Sequence, residues 1–475
     1  MNRRNRVVCW LGLDSIKTDI FEKLLLLAPI MVWFSYYPRL DFGSSDTMYF
    51  KLTVPLVYVL VLSIIGIPRI WRGRSELMRQ PAVWLVASFI VWQGISLLWT
   101  PNVLRGVLTF GISGMLGLVF VACLALVTRI KKLLPALAKL YIVTALIMAC
   151  LAIAQFILGI WLSRQDTLLC AGCVADQFGF VRPNVFAIEP QFFGSMLLVP
   201  MLILVHASMS KQQSWRVWLS LGFLSTVLVL TLSRGAIFAF LAGVVVLIAV
   251  HYRQSKRIMA SVATIVVGGV MALALQGTAA VMNGKYDQTF GEAVAKSLNQ
   301  LSLGLIDVRQ VGGRDAPESI YDAVEYPIAV QESDSEKPAY DGYVAESTDI
   351  RVNLSRLALD AWRETPFRML AGVGLGGAGV AMAESAGHND RREIVQNEYV
   401  EVLLERGIIG LALFLTMLGG IMYVTRRQKW VWGILAAFMV QWAFFSGYPS
   451  ALHIYLTLIL FVIYCYDQRS LATRS

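Results

Sequence analysis

Three carboxylates stand at helical spacing late in the chain. Within residues 394–407, Glu398, Glu401 and Glu405 fall at i, i+3 and i+7, on one face of a helix. Carboxylates gathered in this way can act as a general base, hold a cation or hydrogen-bond a sugar. The plainer reading is a solvated helix face with Arg406 as local partner. Arg234 sits in Ser233-Arg234-Gly235, between two apolar runs with no other polar loop. A cation at the tip of a membrane hairpin must reach water or pair. Arg234 therefore either binds a phosphate or snorkels to the interface, and spacing does not separate the two. Further up the chain, Arg182 is read at the outer surface, with Glu189 a turn or two into the next apolar helix. A carboxylate there is either functional or a structural partner for a neighbouring arginine. Gly372, Gly374 and Gly377 match G-x-G-x-x-G, but no strand–helix unit surrounds them, so a close-packed turn is expected and not a nucleotide cradle. Cys170 and Cys173 lack the second thiol or histidine pair that completes a zinc site. In an oxidising outer compartment they would form a local disulfide, or stay reduced because the ring is small.

The elements that must position these residues are membrane helices. Of 475 residues, 57% are hydrophobic and 15% charged, against about half and a quarter in a soluble domain. This excludes a cytosolic enzyme and a disordered chain. Twelve apolar runs lie at about 21–37, 52–67, 82–99, 106–128, 135–161, 186–205, 215–232, 235–250, 258–275, 407–424, 430–446 and 448–466. Pro68, Pro101 and the basic residues 129–132 and 426–427 are read as their punctuation. Gly268-Gly269 and Gly111, Gly114 and Gly117 offer small residues for helix packing. The basic stretch before the first run is not read as a removable signal peptide, and the first apolar run is expected to be a membrane helix.

The connecting segments fall into two alternating sets. One, containing both termini, carries 22 Lys+Arg; the short loops of the other carry 6. The positive-inside rule places the first set, with both termini, in the cytoplasm. The expected fold class is an all-α polytopic membrane protein of about twelve transmembrane helices with one large, partly helical periplasmic loop. Membrane helices one to nine occupy residues 1–275, the loop 276–406, and helices ten to twelve 407–475. The loop holds 12 Lys+Arg and 21 Asp+Glu, so the chain's net +10 is a topological signal at the cytoplasmic face and implies no nucleic acid. Within the loop, residues 307–349 carry eleven acids, three bases and three prolines, a composition suited to irregular structure. Residues 351–368 place Leu354, Leu357, Ala358, Ala361 and Trp362 at helical spacing, and 394–406 form another helix running into the tenth membrane run.

Four segments together resemble the O-antigen ligase and O-antigen polymerase superfamily of bacterial membrane glycosyltransferases. They are residues 96–102 (Ser-Leu-Leu-Trp-Thr-Pro-Asn), 232–236 (Leu-Ser-Arg-Gly-Ala), Arg356 through Trp362 to Gly372-Val-Gly-Leu-Gly376, and Gln396-Asn-Glu-Tyr followed by Leu404-Glu-Arg-Gly-Ile-Ile-Gly410. The resemblance covers most of the chain, and residues 307–349 look like an insertion. It implies a multi-pass enzyme of the inner membrane. Its donor would be a glycan on undecaprenyl diphosphate, and its acceptor a lipid-linked repeat unit or lipid A core. Membrane lipid and a chain-length regulator are further implied partners. Arg182, Arg234 and Arg356 would bind the diphosphate, with no metal or other cofactor, and Glu189, Asn397, Tyr399 and Glu405 would support the site. The family's ligases carry histidine immediately before the asparagine of the last motif, as the base for the acceptor hydroxyl. Here that position is Gln396, and the only histidine of the loop is His388. This departure favours a polymerase over a ligase, with Glu398 ranked first and His388 second as base. A polytopic transporter or lipid-linked oligosaccharide flippase is the alternative from another class.

Overall fold

The computed structural model describes residues 18–44, 49–161, 176–177, 180–209, 214–283, 289–302, 343–387, 391–426, 428–445 and 451–465. Among them, seven helices are long and apolar enough to cross a membrane: 54–77, 81–99, 103–125, 127–160, 190–208, 256–282 and 398–424. Trp215–Leu230, Arg234–Val250 and Val431–Gln441 are shorter apolar helices. The chain is a multi-pass, all-α membrane protein.

The first apolar run does not form one helix. It divides into α1 (Ile20–Leu25) and α2 (Ala28–Met31), because Pro29, in the first turn of α2, has no N–H to give a continuing helix. A hairpin of β1 (Arg39–Ser44) and β2 (Tyr49–Thr53) follows. Then come α3 (Val54–Leu77), α4 (Pro81–Ser96), α5 (Val103–Ala125) and α6 (Val127–Trp161). Pro68 lies inside α3 and does not end it, and the basic residues 129–132 lie inside α6. A two-residue hairpin, β3 (Asp176–Gln177) with β4 (Phe180–Val181), leads to α7 (Pro190–Ser208), α8 (Trp215–Leu230), α9 (Arg234–Val250) and α10 (Ser255–Asn283). The bundle core is almost entirely hydrocarbon. Phe193, Leu197, Leu202, Phe240, Phe438 and Trp442 are buried at its centre. Of the small-residue stretches, Gly268 packs against the backbone of α8 at Gly222, whereas Gly111 and Gly114 face open space.

Beyond α10 the chain forms α11 (Phe290–Leu301), which the sequence reading missed. Its signal is a capping box, Thr289 with Glu292, a recognisable start. The acidic segment up to residue 342 lies outside the described residues. The expected amphipathic helix is α12 (Tyr343–Arg363), which buries Leu354, Ala358 and Ala361. Then follow α13 (Pro366–Ala371), α14 (Ala378–Ala386), α15 (Glu398–Val424), α16 (Val431–Gln441) and α17 (Leu452–Cys465). Helix α15 starts at Glu398, not at 394, because Asn397 caps it by accepting from the amides of Tyr399 (3.0 Å) and Val400 (3.2 Å).

α15 is two helical pieces joined at Gly407, whose φ is +65°. The kink takes the carbonyls of Leu404 and Glu405 from the helical ladder, and they need other donors. The amides of Val373 (2.8 Å) and Gly374 (3.0 Å) supply them. On its other side this glycine turn is held by Thr100, whose hydroxyl donates to the Leu375 carbonyl at 2.8 Å, and by Trp99, whose indole N–H donates to the Gly372 carbonyl at 3.2 Å. The G-x-G-x-x-G segment is thus a close-packed turn, as its surroundings in the sequence imply.

Candidate anion-binding site

A small, strongly polar cavity, about 240 Å³ counting its open mouth, is lined by Arg182, Gln191, Leu232, Ser233, Arg234, Gly235, Gln300 and Arg351. Five segments deliver these residues. Arg182 follows β4, and its Nε donates to the Thr231 carbonyl at 2.9 Å. That carbonyl ends α8, and the chain turns there through Leu232 at φ +48°, a left-handed value that costs a branched residue about 1–2 kcal/mol. The turn sets Ser233 as N-cap of α9, its hydroxyl accepting from the Ala236 amide at 3.4 Å, and makes Arg234 the first residue of that helix. Arg234 is only 5% exposed, so it does not snorkel to an interface. The helix N-terminus adds a positive dipole end to the same cavity.

Arg351 reaches the cavity from α12. Its Nε donates to Gln396 Oε1 at 2.9 Å and its Nη2 to Gln191 Oε1 at 3.0 Å. Gln191 in turn donates to the Phe444 carbonyl at 3.0 Å, which ties the first turn of α7 to the end of α16. Gln300, in the last turn of α11, is buried, and its Oε1 has no hydrogen-bond partner.

The residues expected from sequence divide. Arg182 and Arg234 meet in the cavity. Arg356 does not; it is exposed, about 140° around the helix from Arg351 at 100° per residue, and Arg351 takes the third place. The signal was in the spacing: Arg351 lies three and seven residues before the buried Leu354 and Ala358, and Arg356 is off that face. Glu189 does not lie a turn or two into the helix. It is exposed at the N-cap of α7, where Pro190 starts the helix a turn later than the apolar run suggests. His388 lies outside the described residues.

Glu398, Glu401 and Glu405 do share one face, but the face is not solvated: they are 3%, 6% and 1% exposed. Tyr455 donates its hydroxyl to Glu398 Oε1 at 3.1 Å, and Arg406 stands 3.7 Å from Glu405. Asn397 and Tyr399 tie the start of α15 to α16: Asn397 Nδ2 donates to Ala443 (3.3 Å) and the Tyr399 hydroxyl to Met439 (2.7 Å). Glu398 does not line the arginine cavity. It is two residues from Gln396, which touches Arg351.

Chemically, the cavity suits a compact polyanion. Guanidinium groups bind phosphate oxygens in bidentate pairs, and two unit charges 4 Å apart interact by about 4 kcal/mol at an effective dielectric of 20. Gathered guanidiniums repel on that scale, and an anion between them reverses the sign. The unpartnered carbonyl of Gln300 adds an acceptor for a ligand hydroxyl or N–H.

Residues 217–415 match a family model described as O-antigen ligase. The match runs from α8 into α15 and includes Arg234, Gln300, Arg351 and Glu398. No curated protein matches the chain. Over residues 217–415, about two fifths of its length, the chain is thus similar to the O-antigen ligase family, which supports the resemblance to the O-antigen ligase and polymerase superfamily.

Proposed function

We propose that this protein transfers a glycan from undecaprenyl diphosphate to an acceptor sugar at the periplasmic face of the inner membrane, as polymerase of a surface polysaccharide (O-antigen, capsule or exopolysaccharide). The observation that carries this reading is the convergence of Arg182, Arg234 and Arg351 on one buried polar cavity. In the transfer, the bond between the sugar's anomeric carbon and the diphosphate breaks, and negative charge grows on the leaving diphosphate. Three guanidiniums and the N-terminus of α9 stabilise that charge where it develops, a role that needs no metal ion. Gln300 accepts a hydrogen bond from the sugar next to the diphosphate. The acceptor hydroxyl attacks the anomeric carbon and gives up its proton, with Glu398 as the base.

The choice of polymerase over ligase rests on Gln396. It stands where the family's ligases carry histidine, and here its carbonyl accepts from Arg351, so it holds an arginine in place and takes no proton. A ligase acting on lipid A core would have to use His388. A transporter or flippase would leave the lipid-linked glycan chemically intact.

The test is release of undecaprenyl diphosphate from a lipid-linked glycan by purified protein in detergent, with no ion gradient. Arg234→Ala should cut the rate at least about 10²-fold, the size of effect expected for one preorganised donor, in a protein that still folds. Arg234→Lys should recover little, since an ammonium lacks the planar fork. A full rate in the alanine variant would remove Arg234 from the site, and no release by the native protein would leave the flippase reading.

A further inference from the structure

A second cavity runs along the bundle between α4, α5, α15 and α17. Counting its open side it spans about 890 Å³, and its walls are almost wholly hydrocarbon. It follows α4 from Ala82 to Gln93, about 16 Å at the helical rise, or roughly half the thickness of a bilayer's hydrocarbon core. Leu85, Val86, Met417 and Ile421, on its walls, are half-buried, so the groove opens sideways from the bundle.

One end is polar. The Gln93 side chain is wholly buried there, and neither atom of its amide has a hydrogen-bond partner; the indole N–H of Trp442, also wholly buried, has none either. Buried polar groups are nearly always satisfied, and leaving three such atoms unsatisfied at one end of an apolar groove is costly. A bare hydrocarbon chain would not relieve that cost, whereas an amphiphile whose first polar atoms reach this end would. Arg406, which pairs with Glu405 at 3.7 Å, stands over the Phe89 ring of the groove wall at 5.7 Å, and its Nε has no partner.

The polar end also adjoins the chemistry. Tyr455 lines the groove and donates to Glu398. The partition between groove and arginine cavity is built from two short segments. Residues 396–398 touch Arg351 at one end and Tyr455 at the other. Residues 442–444 give the groove Trp442 and give Gln191 the Phe444 carbonyl. The two cavities share no lining residue. We propose that the groove seats the isoprenoid chain of a second, lipid-linked glycan, the acceptor, with Glu398 between it and the donor diphosphate. This rests on the polymerase reading for the name of the occupant; the presence of an isoprenoid site does not.

The probe is undecaprenyl diphosphate carrying one sugar and a diazirine in its isoprenoid chain. It is photolysed with the full-length protein in bilayer nanodiscs, and the labelled peptides are mapped. Label is expected on residues 82–93 and 417–424. Leu418→Trp or Ser113→Phe, which fill the groove, should reduce it at least fivefold, and whichever of the two folds serves. Gln93→Leu should weaken binding about tenfold yet raise the unfolding temperature of the empty protein, a split that a merely structural glutamine would not give. In the transfer assay, Ser113→Phe should raise KM for the acceptor and leave that for the donor. A diazirine phospholipid that labels the same peptides and resists excess polyprenyl probe would overturn the proposal, as would label confined to other helices. Groove labelling without any transferase turnover would instead sink the polymerase reading and leave the isoprenoid site standing.

Discussion

Two arginines five residues apart on α12 give the sharpest contrast at the scale of single residues. Arg351 holds Gln191 and Gln396 together at the cavity, whereas Arg356 is exposed on another side of the same helix. Arg351→Ala should lower turnover at least about 10²-fold, while Arg356→Ala should stay within about twofold. Assay of the pair under identical conditions decides it, and the reverse order would mean that α12 turns differently in the working enzyme. Glu398 is the second case. A positioned base contributes roughly 10²–10⁴-fold, so Glu398→Gln should fall at least that far at saturating donor. If the variant keeps more than about a tenth of the rate, Glu398 is not the base. If only His388→Ala is dead, the ligase reading takes the lead.

Among the elements, the glycine turn at 372–377 shows what most of the family-like segments do. The Trp99–Asn102 segment, the turn itself and the Leu404–Gly407 kink meet in one packed knot, where Thr100 and Trp99 hold the turn and the turn holds the broken end of α15. Three of the four segments that carry the resemblance therefore build the support of Glu398 and Gln396; the fourth, 232–236, reaches the cavity itself. Gly374 has φ +95°, and an added Cβ would fall 2.5 Å from the Thr100 backbone. Gly374→Val should therefore destabilise the protein by at least about 2 kcal/mol through backbone strain and overlap, read as a lower unfolding temperature in detergent with loss of turnover. Thr100→Val, which leaves the Leu375 carbonyl without its donor, should cost about 1 kcal/mol. A Gly374→Val protein as stable as the native would show that the knot is not tight.

For the molecule as a whole, sidedness is argued from charge. The Lys+Arg excess of one loop set argues for cytoplasmic termini and a periplasmic segment between α10 and α15, the side on which the arginine cavity must then lie. Single cysteines at Ser335 and Ser44 should react with an impermeant maleimide added outside intact cells, and cysteines at Ser75 and Ser255 should react only after permeabilisation. The opposite pattern would put the cavity in the cytoplasm and end the reading of a periplasmic transferase.

Membrane class, the run of apolar helices and the buried face of α12 were legible in the sequence because they are local: hydropathy and helical periodicity act over a few turns of chain. Arg234, which lines the cavity, was legible as a candidate for the same reason, being a lone charge between two apolar runs. The arginine cavity was not, because its residues come from five separate segments and Arg351 meets Gln191 across 160 positions. The same holds for the three carboxylates. Their spacing put them on one face, but whether that face met water or protein depended on where α15 kinks and what packs against it. Glu189 went the other way, since the helix begins at Pro190 and leaves its carboxylate outside. Composition and spacing fix which side chains each element offers. Only the packing of one element on another fixes which of them are buried together, and a cavity lined with charge exists only once they are.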